Sequence, residues 1–309
     1  MRDIPVFDPA SPGGRAISEL FLVVLIICGV ILAIVTGLVA YSLIRSRARP
    51  GAGEPRQVFG NRWLEILWTV VPFLVLVWIF VLTVRTMRAS APADAHSPDL
   101  VVTGHQWWWE VRYVNPAFVT ANEIHIPTGK RLVVQLQSAD VIHDFWAPQL
   151  GRKMDMIPGW TNHIWLEADR AGTYLGACAE YCGAEHAWMR FLVIAEPPAD
   201  FAAWAAHQAQ PAPSATTGLE KRGQELFLEM TCVNCHTIQG VSAITNVAPN
   251  LTHLASRRTL GAGVLQNTPA DLARWLRDPQ AIKPGCKMPN LNLTETQVDN
   301  LVSYFESLQ

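Results

Sequence analysis

The chain has 309 residues, of which half are hydrophobic and 16% are charged, and its formal net charge is −2. Typical soluble domains are roughly 25% charged, so this composition argues against a wholly soluble protein. The near-neutral charge, with no basic stripe in the C-terminal two thirds, argues against a nucleic-acid partner.

Two long apolar segments lie near the N-terminus. Leu20–Ile44 and Ile66–Val84 contain no charged residue, and a helix crosses a bilayer with about 20 apolar residues. Buried core helices of this length usually carry a polar stripe, and neither a basic segment nor a small-residue cleavage site marks a signal peptide. The pattern predicts an exported segment at 1–19 and a transmembrane hairpin at 20–88.

The loop between the two spans, predicted at 45–62, is basic. It holds one acid, Glu54, and five arginines: Arg45, Arg47, Arg49, Arg56 and Arg62. Because positively charged loops stay in the cytoplasm, both ends of the chain are expected on the opposite side. For a bacterium, this predicts a protein anchored in the lipid of the inner membrane with its larger part in the periplasm.

The pattern between residues 89 and 200 is that of a β domain. Short β-branched or aromatic runs alternate with Gly, Pro, Asn and Asp, which predicts a sandwich or small barrel. The predicted strands are Val101–Val102, Gln106–Val114, Glu123–Ile126, Arg131–Gln137, His163–Glu167 and Phe191–Ala195.

An Ala-, Pro- and Gln-rich linker is predicted at 201–217, followed by an all-α domain at 218–309. Thr217 with Glu220 and Thr294 with Gln297 fit capping boxes, and Thr268 precedes Pro269 as an N-cap would. The last helix has an apolar face made of Val298, Leu301, Val302, Phe305 and Leu308. A domain of this size has a modest core, which a buried cofactor would help to stabilise.

The most specific motif in the β domain is a cysteine-rich segment. Cys178, Cys182, His186 and Met189 lie within twelve residues, and His143 lies upstream. Two thiols, two imidazoles and a thioether form a soft donor set that selects copper or zinc. A disulfide leaves the histidines and the methionine unexplained, a zinc site does not need Met189, and a mononuclear blue-copper site has one cysteine. Two thiolates bridging two copper ions use every donor.

The C-terminal domain carries a C-x-x-C-H motif, formed by Cys232, Cys235 and His236. This motif is typical of covalent haem c attachment, whereas a redox dithiol would need a βαβ context. Met288, on a Pro/Gly-rich loop, is predicted as the second axial ligand in preference to Met230 and His253.

These residues carry a family resemblance. The segment from His143 to Gly151, the short runs Lys153–Asp155 and Pro158–Gly159, and the cysteine-rich segment resemble the dinuclear copper (CuA) domain of cytochrome c oxidase subunit II. The fused C-terminal domain is similar to small bacterial cytochromes c, as in caa-type oxidases. The resemblance implies a multidomain membrane protein with a two-helix hairpin, a cupredoxin-like Greek-key β domain and a small all-α cytochrome c domain.

The resemblance also implies residue roles. His143 and His186 would be terminal copper ligands, Cys178 and Cys182 bridging thiolates, and Met189 a weak axial ligand. Glu180 would present its backbone carbonyl to copper and its side chain to a magnesium ion shared with subunit I. Trp107 would be the point at which electrons reach the copper, although from the residues alone the alternation of Trp107 and Trp109 favours packing into the core. Glu65 would lie near a proton-uptake channel, although an interfacial acid explains it equally.

The implied function is an electron relay. Electrons would pass from cytochrome c or another donor through haem c to CuA and on to subunit I, where O2 is reduced to water with proton translocation. Subunit III is a further expected partner. Two alternatives remain: the electron-entry subunit of a copper-containing nitric oxide reductase, and a membrane-bound copper-binding or chaperone module. A quinol oxidase subunit would lack the copper ligands. Cys286 departs from the family pattern and is interpreted as a bystander.

Overall fold

The computed structural model describes residues 5–47, 51, 53, 57, 59–91 and 97–309. Residues 15–90 form one compact unit, and the remaining described residues form a second. Arg49, Glu54 and Arg56 lie outside the described residues, so the charge pattern of the predicted cytoplasmic loop stays a sequence prediction.

The N-terminal region contains two long apolar helices, α1 (Pro12–Arg45) and α2 (Arg62–Ser90). Their most apolar windows have mean hydropathies of 3.2 and 2.6, and none of the residues in those windows is buried. A soluble protein would cover such surfaces, so lipid is the environment that suits them. The two predicted spans lie inside these helices.

Ten strands form two five-stranded sheets in the β domain, which we define as residues 97–208. The first sheet has the order β3-β2-β1-β5-β8 and the second the order β4-β10-β9-β6-β7. The strands are β1 (Leu100–His105), β2 (Trp108–Tyr113), β3 (Phe118–Ala121), β4 (Glu123–Pro127), β5 (Leu132–Ser138), β6 (His143–Trp146), β7 (Met154–Met156), β8 (Asn162–Leu166), β9 (Gly172–Cys178) and β10 (Arg190–Glu196). The predicted cupredoxin-like sandwich is confirmed.

The core of the β domain packs directly against one candidate ligand. Alternate residues of β1 and β5 point inward, as the two-residue period of a strand requires. Trp109 is fully buried, and its ring centroid lies 5.2 Å from that of Phe191 and 6.1 Å from that of His143. The core therefore fixes the position of His143.

The linker prediction was wrong at its N-terminal end. Residues Pro198–Gln208 form a helix, α3. Within the predicted linker, therefore, only residues 209–217 lack regular structure. Trp204 explains the difference, because its ring stacks on that of His125 at 3.9 Å and meets Tyr113 edge-on at 5.4 Å. The alanine-rich composition reflects a helix packed on the β domain rather than a flexible tether.

The C-terminal domain, residues 218–309, is helical as predicted. It contains α4 (Gly218–Glu229), α5 (Pro269–Arg277), α6 (Pro279–Ile282), α7 (Glu295–Ser307) and a short hairpin of β11 (Thr259–Leu260) and β12 (Leu265–Gln266). Both capping boxes are present, and Thr268 caps α5. Its core joins α4 to α7 through residues that include Phe227, Leu301 and Phe305.

Candidate metal and haem sites

The candidate copper ligands come from three adjacent parts of the β domain. His143 begins β6, Cys178 ends β9, and Cys182, His186 and Met189 follow in the connection to β10. We call residues 178–189 the cysteine loop. Because β6 and β9 pair with Phe145 opposite Cys178, the sheet register brings His143 beside the start of this loop.

The donor atoms converge. The two cysteine Sγ atoms lie 3.8 Å apart, too far for a disulfide bond. Cys178 Sγ lies 3.9 Å from His143 Nδ1, and Cys182 Sγ lies 3.6 Å from His186 Nδ1. Met189 Sδ lies 3.8 Å from Cys182 Sγ. One candidate ligand atom from each of His143, Cys178 and Cys182 lies within 4.8 Å of the other two, a spacing that can hold a metal.

Glu180 offers its backbone rather than its carboxylate to this cluster. The Glu180 carbonyl oxygen lies 3.2 Å from Cys178 Sγ. The Glu180 side chain is exposed, as is Tyr181, which is 76% accessible. The loop therefore separates an inward-facing donor set from an outward-facing polar and aromatic surface.

Asp140 orients His143. The His143 Nε2–H donates to Asp140 Oδ1 at 2.8 Å, which leaves Nδ1 facing the cysteine sulfurs. Burial opposes ionisation of Asp140, but hydrogen bonds from His143 and from the backbone N–H groups of Gln106 and Val141 lower its pKa. A carboxylate that holds the far nitrogen of a ligating histidine is the usual way to fix its tautomer and ring angle.

The charge requirements of the cysteine pair suit a cation. A side-chain hydrogen bond between the two sulfurs lowers the pKa of Cys178 and raises that of Cys182. The first proton therefore leaves easily, whereas two buried thiolates this close repel each other unless positive charge lies between them. Donor type, burial and charge together fit copper ions at this position.

The aromatic run Trp107–Trp109 precedes this site, and its members make different contacts. Trp109 belongs to the core, and Trp108 stacks on His105 with 4.3 Å between ring centroids. Strand β2 begins at Trp108 rather than at Gln106 as predicted, so Trp107 lies in the β1–β2 turn. Its indole Nε1–H donates to the Cys182 carbonyl at 3.1 Å, and it is half-buried. Trp107 therefore contacts the cysteine loop directly.

The C-x-x-C-H motif begins in a short 3₁₀ turn, Thr231–Asn234, directly after α4. His236 hydrogen-bonds through Nδ1 to the Pro249 carbonyl at 2.8 Å. This contact leaves Nε2 as the nitrogen that would ligate a haem iron, and Cys232 borders the apolar core of the domain. The donor set fits covalently attached haem c.

Met288 lies at the border of the same core, at the end of residues 283–288, which we call the methionine loop. Its Sδ accepts a hydrogen bond of 3.2 Å from Trp275 Nε1 on α5. Gln280 supports the loop by donating from Nε2 to the carbonyls of Cys286 and Met288, each at 2.7 Å. Hydrogen bonds therefore hold both the sulfur and the backbone of Met288.

The competing residues are less suited to axial ligation. His253 uses Nε2 on the Gln210 carbonyl at 3.0 Å and Nδ1 on the Gln309 carbonyl, so neither nitrogen is free. Met230 is the C-cap residue that follows α4, and it packs against the core. Burial raises the pKa of the Cys286 thiol, which favours its neutral form and the bystander interpretation.

Comparisons with known proteins agree with this arrangement. Residues 3–85 match the transmembrane domain of cytochrome c oxidase subunit II, residues 117–196 its periplasmic domain, and residues 220–309 the cytochrome c family. The chain is 36% identical to cytochrome c oxidase subunit 2 of Alkalihalophilus pseudofirmus, over 99% of this chain and 91% of that protein. This chain belongs to the cytochrome c oxidase subunit II family.

Two further similarities complete the comparison. The oxidase subunit is 30% identical to quinol oxidase subunit 2 of Bacillus cereus, over 70% of this chain and 76% of that protein. It is 33% identical to the crystallised periplasmic domain of cytochrome oxidase subunit II of Bradyrhizobium japonicum, with a TM-score of 0.35, covering 37% of this chain and 96% of that one. The family-model matches over residues 3–85 and 117–196, together with membership of the subunit II family, make the chain a membrane protein with a periplasmic domain and a member of a haem–copper oxidoreductase complex.

Sequence reasoning missed the contacts that Asp140, Trp275 and Gln280 make with predicted ligands. Asp140 is three residues before His143, a spacing that could have signalled a carboxylate partner for that imidazole. Trp275 is separated from Met288 by thirteen residues and a helix end, so no local pattern reveals its contact with the sulfur. Glu65 lies in the first turn of α2, directly before the apolar run Ile66–Val84.

Proposed function

We propose that this subunit relays electrons from cytochrome c or a similar donor to subunit I of a cytochrome c oxidase, where O2 is reduced to water with proton translocation. The observation that supports the proposal most strongly is the convergence of two thiols, two imidazoles and a thioether in the cysteine loop and β6. When bound, dinuclear copper and haem c would supply reversible one-electron chemistry.

The copper-binding residues favour a relay over substrate chemistry. His143, Cys178, Cys182, His186 and Met189, with the Glu180 carbonyl, would occupy the positions around the metal and leave no open site for a substrate. His143 and Met189 are fully buried, and Cys182 is 3% exposed. A chaperone needs ligands that a recipient can reach, so this burial speaks against the copper-delivery alternative.

The residues that would bind haem are also held rigidly by neighbouring groups. Cys232 and Cys235 would form the thioether bonds, and His236 and Met288 would supply the axial ligands. The Pro249 carbonyl holds His236, while Trp275 and Gln280 hold Met288 and its loop. Rigid ligands limit the reorganisation that accompanies a change of oxidation state, which suits fast electron transfer.

The exposed side of the cysteine loop suits a protein partner. Glu180 and Tyr181 are exposed beside the buried donors. A carboxylate is a suitable ligand for Mg²⁺, and the other ligands would come from subunit I. We place the contact with subunit I on this surface and expect subunit III in the same complex.

Location and proton uptake follow from the membrane part. The two apolar helices would anchor the subunit in the bacterial inner membrane with the copper and haem domains in the periplasm. Glu65 would then lie near the cytoplasmic surface and assist proton uptake. Replacing Glu65 by Ala should slow turnover without slowing copper reduction, and unchanged turnover would contradict the assignment.

The relay is tested with Cys182→Ser in the assembled oxidase, with Cys28→Ser as a cysteine control within α1. The Cys182 variant should lose the dinuclear copper signal and nearly all O2 uptake, while its haem is still reduced by a soluble donor. The Cys28→Ser control should keep the dinuclear copper signal and O2 uptake. O2 uptake that survives loss of copper would contradict the relay. Consumption of nitric oxide but not O2 by the intact complex would instead identify the nitric oxide reductase alternative.

A further inference from the structure

Lys283 is a buried lysine with an unusual set of partners. It begins the methionine loop, and its side chain is almost fully enclosed, with 3% of the residue exposed. Its Nζ donates to three backbone carbonyls, those of Trp107 at 3.1 Å, Trp188 at 3.0 Å and Gly261 at 3.1 Å. An ammonium has three N–H donors, and here each of the three has an acceptor.

Two of these acceptors belong to the β domain and adjoin the candidate copper site. Trp107 also hydrogen-bonds through its indole to the Cys182 carbonyl. Trp188 directly precedes Met189. The third acceptor, Gly261, lies in the β11–β12 turn of the C-terminal domain. One ammonium therefore joins the methionine loop to the cysteine loop and to the β1–β2 turn, whose Trp107 contacts that loop.

Burying the Lys283 ammonium costs free energy, which its hydrogen-bond partners and nearby charges must offset. Burial lowers the pKa of Lys283 to about 8, and the nearby carboxylate of Glu185 acts in the opposite direction. Glu185 belongs to the cysteine loop and is 5% exposed. Removing the partners of a buried charge is strongly destabilising, so the ammonium is well satisfied only while the two domains stay in contact.

A reciprocal contact lies on the β domain side. Glu123 in β4 is 2% exposed, and its Oε1 accepts from the backbone N–H groups of Arg258 and Thr259 at 2.8 and 2.9 Å. The backbone N–H of Arg190 donates to the Ala262 carbonyl at 3.1 Å. Each domain thus inserts one buried charged side chain into the backbone of the other.

We propose that Lys283 is a positioning residue that holds the methionine loop against the cysteine loop, so that haem and copper keep one fixed separation during electron transfer. This inference rests on the proposed relay, but the docking it describes can be measured without turnover. The C-terminal domain is then a permanently docked electron carrier, and the chain segment 209–217 does not act as a tether for a moving shuttle.

Hydrogen exchange of the full-length, metal-loaded chain in detergent tests the docking. Lys283→Met removes the ammonium and keeps the length of the side chain, and Lys221→Met removes an exposed lysine of α4 as a control. In Lys283→Met, the interdomain amides of Arg190, Arg258 and Thr259 should exchange about tenfold faster or more, since hydrogen bonds to charged groups are among the stronger ones. Amides of β5 and β8 and the whole control protein should be unchanged.

A second measurement connects docking to electron transfer. After flash reduction of the haem, Lys283→Met should pass the electron to copper at least tenfold more slowly, while haem and copper spectra and potentials stay the same. Lys283→Arg keeps a charged donor and should recover part of the rate. Glu123→Leu weakens the interface from the β domain side and should reproduce both effects if Lys283→Met fails to accumulate.

The outcomes separate the two proposals. Unchanged amide exchange in both variants, or faster exchange with an unchanged transfer rate, would overturn the positioning role of Lys283. Faster interdomain exchange in a chain that binds no dinuclear copper would support the docking and contradict the relay.

Discussion

Gly104 lies directly against the imidazole of His143: a Cβ atom at position 104 would stand 2.8 Å from His143 Cδ2. Because position 104 of β1 has no side chain, the His143 ring can lie between the sheets with Nδ1 toward the cysteine sulfurs. Because Asp140 holds the opposite ring nitrogen, the imidazole has little freedom to move aside.

Replacing Gly104 by Ala should displace the His143 ring and weaken copper binding. A loss of about 10- to 100-fold in affinity is expected, comparable with the loss of an outer partner of a ligand. Copper retention against a chelator measures this. Gly172→Ala in β9 is the control, since its Cβ would make only ordinary contacts at 3.7 Å or more. Equal copper retention in the two variants would contradict the account.

The hydrogen bond from Trp275 to Met288 should tune the haem. An N–H dipole directed at the sulfur disfavours the more positively charged ferric state, so its removal should lower the reduction potential. Trp275→Phe keeps an aromatic ring beside Gly261 but removes the donor. A redox titration should show a decrease of tens of millivolts, since a hydrogen bond contributes about 1 kcal/mol. An unchanged or higher potential would show that the contact does not influence the iron.

Gly223 permits the close crossing of α4 and α7. A Cβ there would lie 2.1 Å from the Asn300 carbonyl oxygen and 2.6 Å from Tyr304 Cβ. Gly223→Ala should force the helices apart and lower the free energy of unfolding of the C-terminal domain by about 1–3 kcal/mol. Denaturation followed by haem absorbance measures this. Gly218→Ala, where a Cβ meets nothing within 4 Å, should be neutral or slightly stabilising.

The capping box of α4 should make the stability of the C-terminal domain depend on pH. Backbone N–H groups of Thr217 and Thr216 donate to Glu220 and lower its pKa from 4.5 to about 2. A lowered carboxylate pKa stabilises the fold above pH 4.5, and the contribution is lost as the pH falls toward 2.

Glu220→Gln should therefore lower the melting temperature at pH 6 and leave it unchanged near pH 2. The second capping box has Gln297 at the equivalent position and cannot titrate. Removing that box with Gln297→Ala should lower the melting temperature equally at both pH values. A Glu220→Gln effect that does not depend on pH would contradict the assigned pKa.

The sequence predicted those features of the fold that have local causes. Capping boxes, the N-cap at Thr268 and long apolar helices depend on neighbouring residues, and the structure agrees with each of them. Strands β3, β6, β7 and β9 were missed because they are short or rich in small and polar residues, and tertiary pairing rather than alternation makes them strands.

The candidate ligands could be predicted because metal- and haem-binding residues lie close together in the sequence, as in Cys178 and Cys182 or Cys232, Cys235 and His236. Most residues that hold these ligands or dock the two domains could not be predicted. Asp140 could be placed beside His143 from spacing, but Trp275, Glu123 and Lys283 act across loops or domains, where only the folded chain brings the partners together.

The measurement that tests the central claim most directly is an electron paramagnetic resonance spectrum of the full-length chain with parallel metal analysis. The account predicts two copper atoms for each haem and one unpaired electron shared equally by both coppers. A signal localised on a single copper, or zinc in place of copper, would contradict it and leave the chain as a membrane-bound cytochrome c whose cysteine loop has another role.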